Sequence, residues 1–339
     1  MSLLLLTLAC APEDVIDDTL YLRTDGADLR LRAQGNRAAD TFVLVVHGGP
    51  GGNGAEYNSG RYAERLESEL VMVYYDQRGQ GASTGNYDAA DVTIQQLSDD
   101  TDAAVDLLRA LYGDDISVYL MGHSWGGTLG TWALLHTDIQ SKLSGWIEAD
   151  GAHDIPRLNQ LAIEMFIEVG GAEIDAGHYP NRWREIVRWA EGVDVDNITE
   201  EIGGEINRYA YDAEYLIDTI TWDPDATVGA LVGDTVRSGV SPLTSAWAGN
   251  TTSGLLLEDG VEEVALADRL DEVTIPTLLL WGRYDFVVPP ALAEEAVDAL
   301  GGDPVELVLF ETSGHSPMSN QPDAYADEML SFIEQTRTP

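Results

Sequence analysis

Three residues with the chemistry of acyl transfer stand far apart in the chain: Ser124, Asp285 and His315. A serine hydroxyl is a weak nucleophile at neutral pH and needs a base within hydrogen-bond reach. Of the six histidines, His315 in Ser313-Gly314-His315 is the best placed to be that base, because it stands in a loop after an apolar run. Asp285, closing Gly282-Arg283-Tyr284-Asp285, would orient the imidazole and stabilise its cation. Ser124 itself lies in Gly122-His123-Ser124-Trp125-Gly126-Gly127, of the form G-x-S-x-G. An elbow of this form turns so sharply that its flanking residues must be small, and it leaves Oγ exposed above a helix N-terminus. Charge developing on the tetrahedral oxygen calls for preorganised donors. The backbone N–H of Trp125 is one, and the glycine-rich stretch His47-Gly48-Gly49-Pro50-Gly51-Gly52 supplies the other, expected at Gly49. One such donor is worth roughly 3 to 4 kcal/mol of barrier.

Other residues compete for these roles. Asp150, also at a strand end, is the rival acid, but the Asp285 loop ends a cleaner buried run and lies one strand before the histidine loop. His47 and His123 flank backbone-rich turns and read as loop-fixing, while His153 and His178 carry no assignment. No H-E-x-x-H or similar spacing suggests a metal, so neither metal nor cofactor is expected.

The elements that must position these groups are legible as runs. Residues 41–46, 70–75, 116–121, 143–150, 277–281 and 305–310 are apolar stretches expected as strands, the continuous ones buried on both faces. Residues 20–23 and 28–32 alternate around Asp25-Gly26, the signature of a hairpin with one wet face. Helical spacing fills residues 91–112, 291–300 and 323–336. Alternating strands and helices predict an α/β fold, a mostly parallel sheet with helices on both faces. In the segment Asp76-Gln77-Arg78-Gly79-Gln80-Gly81-Ala82-Ser83, Asp76 and Arg78 are expected to tie adjacent loops by a paired bridge.

Buried-strand runs vanish between residues 151 and 267, where Trp183, Trp189, Trp222 and Trp247 cluster among amphipathic helical segments. This predicts a helical cap inserted over the strand ends, a lid and pocket wall whose aromatics mostly fill its own small core. The expected division is a tail and linker over 1–18, a core of 19–150 with 268–339, and the cap over 151–267.

Composition narrows the partners. Fifty-nine acidic residues against 18 basic ones give a formal net charge of −41, with Lys142 the only lysine. Such a surface repels nucleic acid and anionic head groups; it reads as an adaptation for solubility, and it would favour a cationic substrate. The apolar start of the chain ends at Ala9 and the lone Cys10, and resembles the tail of a bacterial lipoprotein signal. That implies an exported protein anchored at the membrane through a lipidated Cys10, with a cytoplasmic location as the alternative.

Taken together, His47-Gly48-Gly49-Pro50-Gly51, the segment from Asp76 to Ser83, Ser124-Trp125-Gly126-Gly127, Gly282-Arg283-Tyr284-Asp285 and Gly314-His315 resemble the proline iminopeptidase family of α/β-hydrolases. The resemblance covers residues 19–151 and 273–336. It implies the α/β-hydrolase fold and a serine aminopeptidase that releases proline or another small residue from peptides. It also implies cap glutamates that bind the substrate's free amine, and Glu191 and Glu205 are the candidates. A carboxylesterase or lipase with the same triad is the nearest alternative. A non-catalytic surface-binding lipoprotein on a hydrolase fold is the third. Oligomeric state has no signature in the sequence.

Overall fold

The computed structural model describes residues 14–222, 239 and 241–337; Cys10 and the rest of the apolar start lie outside them. β1 (Val15–Thr24) and β2 (Ala27–Asn36) form an antiparallel hairpin. Asp25 and Gly26 at its turn have φ of 40° and 80°, the paired left-handed conformations that suit a two-residue turn to strand twist. The hairpin starts earlier than alternation indicates. Residues 15–18, expected as linker, pair with residues 33–36, because Ile16 is buried against the core.

Six further strands are mutually parallel: β3 (Thr41–Val46), β4 (Val71–Asp76), β6 (Ser117–His123), β7 (Gly145–Ala149), β8 (Thr277–Gly282) and β9 (Val305–Phe310). The sheet order is β1-β2-β4-β3-β6-β7-β8-β9, with β5 (Thr84–Gly85) beside β2. Their continuous apolar runs divide by period 2 between two cores. Phe42, Leu44 and Val46 join Leu97, Val105 and Leu108 of α2 (Ile94–Tyr112) and Leu129 of α3 (Trp125–His136). Val43 and Val45 face the opposite way, toward Leu66 of α1 (Gly60–Glu67) and Met329 and Phe332 of α10 (Pro322–Thr336). Each fully buried aliphatic or aromatic side chain contributes roughly 1.5–3 kcal/mol, which is why both faces of these strands are apolar.

Between β7 and β8 the chain leaves the sheet for α4 (Ile155–Ala176), α5 (Pro180–Ala190), α6 (Glu200–Leu216) and α7 (Pro242–Glu258). Asp154 caps α4 by accepting the N–H of Arg157, and left-handed Gly177 ends it. Phe166, Trp183, Ile186 and Ile206 build a separate core there, which also takes in Phe286 from the loop after β8. Trp183 is fully buried and Trp189 packs against Phe166 and Tyr209. Trp222 and Trp247, expected among the aromatics of this core, are instead 61% and 75% exposed. For Trp247 the reason is helix phase: α7 buries Ser245, Gly249, Thr252 and Leu256, leaving Trp247 on the outer face. The chain closes through α8 (Pro290–Ala299), α9 (Pro317–Asn320) and α10. Among the described residues no helix is long and apolar enough to cross a membrane.

Candidate active site

Because β6 to β9 run parallel, the loops that follow them leave the sheet at one edge, bringing together Ser124, Asp150, Asp285 and His315. Ser124 sits at the elbow between β6 and α3 with φ 57° and ψ −122°, a strained backbone for a residue with a side chain. Neighbouring backbone enforces it. A Cβ at Gly126 would meet the carbonyl of Val46 at 2.0 Å, and one at Gly122 the carbonyl of Gly126 at 2.2 Å. The carbonyl of Ser124 accepts the N–H of Gly127 at 2.8 Å and of Ala152 at 3.1 Å, which fastens the turn to the start of the insertion.

His315 and Asp285 are both buried, and His315 Nδ1 lies 2.8 Å from Asp285 Oδ2. A carboxylate only accepts, so Nδ1 carries the proton and Nε2 is left as an acceptor. The other oxygen, Oδ1, accepts the N–H groups of Val287 and Val288 at 2.8 Å each, which fixes the carboxylate plane. Burial alone would lower the His315 pKa, but the charge and hydrogen bond of Asp285 outweigh it and hold the imidazole above its ordinary value. Asp150 is placed differently: its Oδ1 accepts the N–H of Gly282 at 2.9 Å, and its Oδ2 has no hydrogen-bond partner among the described residues. Burial, and then the charge of Asp285, push its carboxyl well above the usual range. Asp150, Asp285 and His315 each offer a donor atom within 4.8 Å of the others. Those of Asp285 are already committed to N–H groups, and the cluster reads as a hydrogen-bonded unit rather than a ligand set.

His123 supports this unit from behind. Gly48 N–H donates to Tyr57 Oη at 2.9 Å, Tyr57 donates to His123 Nδ1 at 2.7 Å, and His123 Nε2 donates to the carbonyl of His315 at 2.8 Å. Burial, helped by proximity to His315, lowers the His123 pKa to about 3, so it keeps one neutral tautomer. One chain of bonds therefore joins the glycine loop to the histidine loop. Tyr57 carries no sequence signal that would have found it.

The glycine loop is held by amides rather than by the expected charges. Gln77 Nε2 donates to the carbonyl of His47 at 2.9 Å, its Oε1 accepts Trp125 Nε1 at 3.0 Å, and Gln80 Oε1 accepts the N–H of Gly51 at 2.6 Å. Asp76 and Arg78 take separate partners. Asp76 accepts the N–H groups of Gly54 and Ala82 at 2.8 and 2.9 Å and faces Arg30, whereas Arg78 grips Asp100 of α2 through two bonds of 2.7 Å. Asp76 is the last residue of β4, whereas Arg78 stands two residues on in the turn that follows, so the chain has left the strand direction between them and the two side chains diverge. From the insertion, α7 presses on the same loop. A Cβ at Gly249 would meet the carbonyl of Gly51 at 2.0 Å, Ser253 donates to the carbonyl of Pro50, and Thr252 donates to that of Gly79 at 2.8 Å.

Ser124, Trp125, Gly49 and Pro50 line a cavity of about 250 Å³, walled by Ile155 and Leu158 of α4, Ile206 and Tyr211 of α6, and Val287. Its charged lining residue is Glu262; Asn159 and Asn207 are the neutral amides. Burial, then the neighbouring charge of Glu200, raises the Glu262 pKa. Neither Glu191 nor Glu205 is in the lining. Glu191 is exposed at the end of α5, and Glu205 Oε2 accepts Trp189 Nε1 at 3.0 Å. The face of α6 turned to the cavity carries residues 203, 204, 206, 207 and 211, which puts Glu205 off that stripe.

Fold and site together define an α/β-hydrolase. The profile of the Alpha/beta hydrolase family matches residues 43–328, and the chain belongs to that family. Among its relatives it is 23% identical over 316 residues to a proline iminopeptidase of Saccharolobus solfataricus, covering 93% of this chain and 92% of that one. Among solved structures it resembles the proline iminopeptidase of Mycobacterium smegmatis, with TM-score 0.62, 19% identity, and 94% and 98% of the two chains covered. It also resembles an esterase of Rhodococcus sp. ECU1013, with TM-score 0.60, 17% identity, and 96% and 100% covered. The chain is thus an α/β-hydrolase that is similar in sequence to proline iminopeptidases.

Proposed function

We propose that this hydrolase is a serine aminopeptidase that releases an N-terminal proline or another small residue from peptides through an acyl-enzyme on Ser124. The observation that carries the reading is the buried His315–Asp285 hydrogen bond, which leaves Nε2 as an acceptor at the sheet edge where the Ser124 elbow opens its cavity. Ser124 Oγ attacks the carbonyl carbon of the first residue as His315 Nε2 takes its proton. The oxyanion is met by the N–H groups of Gly49 and Trp125. The C–N bond then breaks and His315 passes its proton to the leaving amine. Water, deprotonated by the same imidazole, attacks the ester, and Ser124 recovers its proton.

A cavity of about 250 Å³ suits one small residue, and Glu262 takes the place expected of Glu191 and Glu205 as the carboxylate facing a substrate ammonium. Prolyl and alanyl anilides tested beside short-chain esters check the claim: anilide cleavage is expected, and turnover of esters alone would overturn it. The carboxylesterase reading has its own support in the largely aliphatic cavity wall and the esterase likeness. Anchoring through a lipidated Cys10 is a separate proposal resting on the apolar run before it. It predicts a membrane-fraction protein in the native host that Cys10→Ser releases; an unmodified Cys10 by mass spectrometry would end it.

A further inference from the structure

We infer that Glu214, near the C-terminal end of α6, is a positioning residue that sets the acid loop and the histidine loop relative to one another. Its Oε1 accepts the backbone N–H of Phe286 at 3.3 Å and that of His315 at 3.2 Å. Phe286 directly follows Asp285, so a single oxygen on a helix of the insertion ties together both loops that carry the imidazole–carboxylate pair. The carboxyl fits there because residue 314 is glycine: a Cβ at that position would meet Glu214 Oε2 at 2.4 Å. Packing makes the same connection. The Phe286 ring stacks on Phe166 of α4 at 5.7 Å and lies against Trp183 of α5 at 5.8 Å, so the acid loop is built into the core of the insertion.

Burying a carboxyl costs stability unless its bonds compensate, and the bonds Glu214 makes are to these two loops. The charged and titratable groups facing it are Asp285, His315, Asp150 and Tyr211. Burial and the charge of Asp285 push its pKa up to about 8, so at neutral pH it accepts both N–H groups without placing a second negative charge beside Asp285. The insertion therefore wall-lines the cavity and aligns the catalytic loops through one side chain.

This inference rests on acyl transfer at Ser124, and a fluorophosphonate that modifies serine tests it without any assumption about the substrate. Wild type, E214Q, E214D and E214A are compared by intact mass, with the maximal labelling rate separated from the half-saturating concentration. E214Q keeps an acceptor oxygen at the same reach and should label within about 3-fold of wild type. E214D withdraws the acceptor by one methylene and E214A removes it; both should lose roughly 10- to 100-fold in maximal rate at an unchanged half-saturating concentration. The rank Gln above Asp separates positioning from a role for charge, and it decides the matter even if E214A does not fold. Wild-type rates in E214D, or E214Q as impaired as E214D, would overturn the inference. A wild-type protein that is not labelled at all refutes the acyl-transfer reading instead.

Discussion

Asp150 and Asp285 are neighbouring buried carboxyls, and their hydrogen bonds give them different work. Asp285 is bonded to His315 and held by two N–H groups; Asp150 is bonded to the backbone of Gly282, with its carboxyl pushed well above the usual range by burial. Asp285→Asn should therefore lower kcat by about 10⁴-fold, and Asp150→Asn by no more than about 10-fold. Equal losses in the two variants would show that the acid is shared. The raised His315 pKa sets the pH dependence. The base must be neutral to act, so kcat/KM should rise along an acid limb centred above 6.5, and that limb should move down when Asp285→Asn removes the charge that raises it. Glu214 makes a second, thermodynamic prediction. Its folded pKa of about 8 lies above the ordinary value of 4.5, so the folded state binds the extra proton and stability is lost as pH rises across that window. The melting temperature of E214Q relative to wild type should climb by about 2 °C or more between pH 5 and pH 8; a constant difference would count against a neutral Glu214.

The element scale shows what sequence could and could not reveal. Buried parallel strands are continuous apolar runs, so β3, β4, β6 and β8 were legible together with the order of the loops they feed. Gly122 and Gly126 were legible too, because an elbow leaves no room for Cβ. The supports were not. Gln77, Gln80, Tyr57 and Glu214 act through partners brought near only by the folded chain, and glutamine, tyrosine or glutamate in a polar stretch carries no local signal. Motif likeness pointed to Glu191 and Glu205, but helix phase decides which face meets the cavity, and that face passes Glu205 by. The most consequential contact missed is α7 against the glycine loop. Gly249→Ala would drive a methyl group to within 2.0 Å of the Gly51 carbonyl, so loop or helix must give way. A fall in kcat of roughly 10- to 100-fold with little change in far-ultraviolet circular dichroism is expected; wild-type kcat would show that α7 does not set the loop.

At the scale of the whole molecule, charge and chemistry separate. A formal net charge of −41 over 339 residues means that repulsion among surface carboxylates opposes the compact state, since 18 basic residues cannot neutralise 59 acidic ones. Most of the ion pairs involving those basic groups are exposed and individually worth little. Screening should therefore stabilise the protein: the melting temperature should rise by roughly 5 °C or more between 0.02 and 1 M sodium chloride, and a fall would mean that ion pairs dominate instead. The same field favours a substrate that carries an ammonium group, consistent with a peptide N-terminus approaching a cavity that holds Glu262. The proposed function puts covalent chemistry at one hydroxyl, that of Ser124. The most direct measurement is acid-quenched turnover of an aminoacyl anilide or activated ester, followed by peptide mass mapping. The account predicts one aminoacyl group on the peptide containing Ser124 and no turnover by Ser124→Ala; an adduct on another residue, or undiminished turnover by Ser124→Ala, would contradict it.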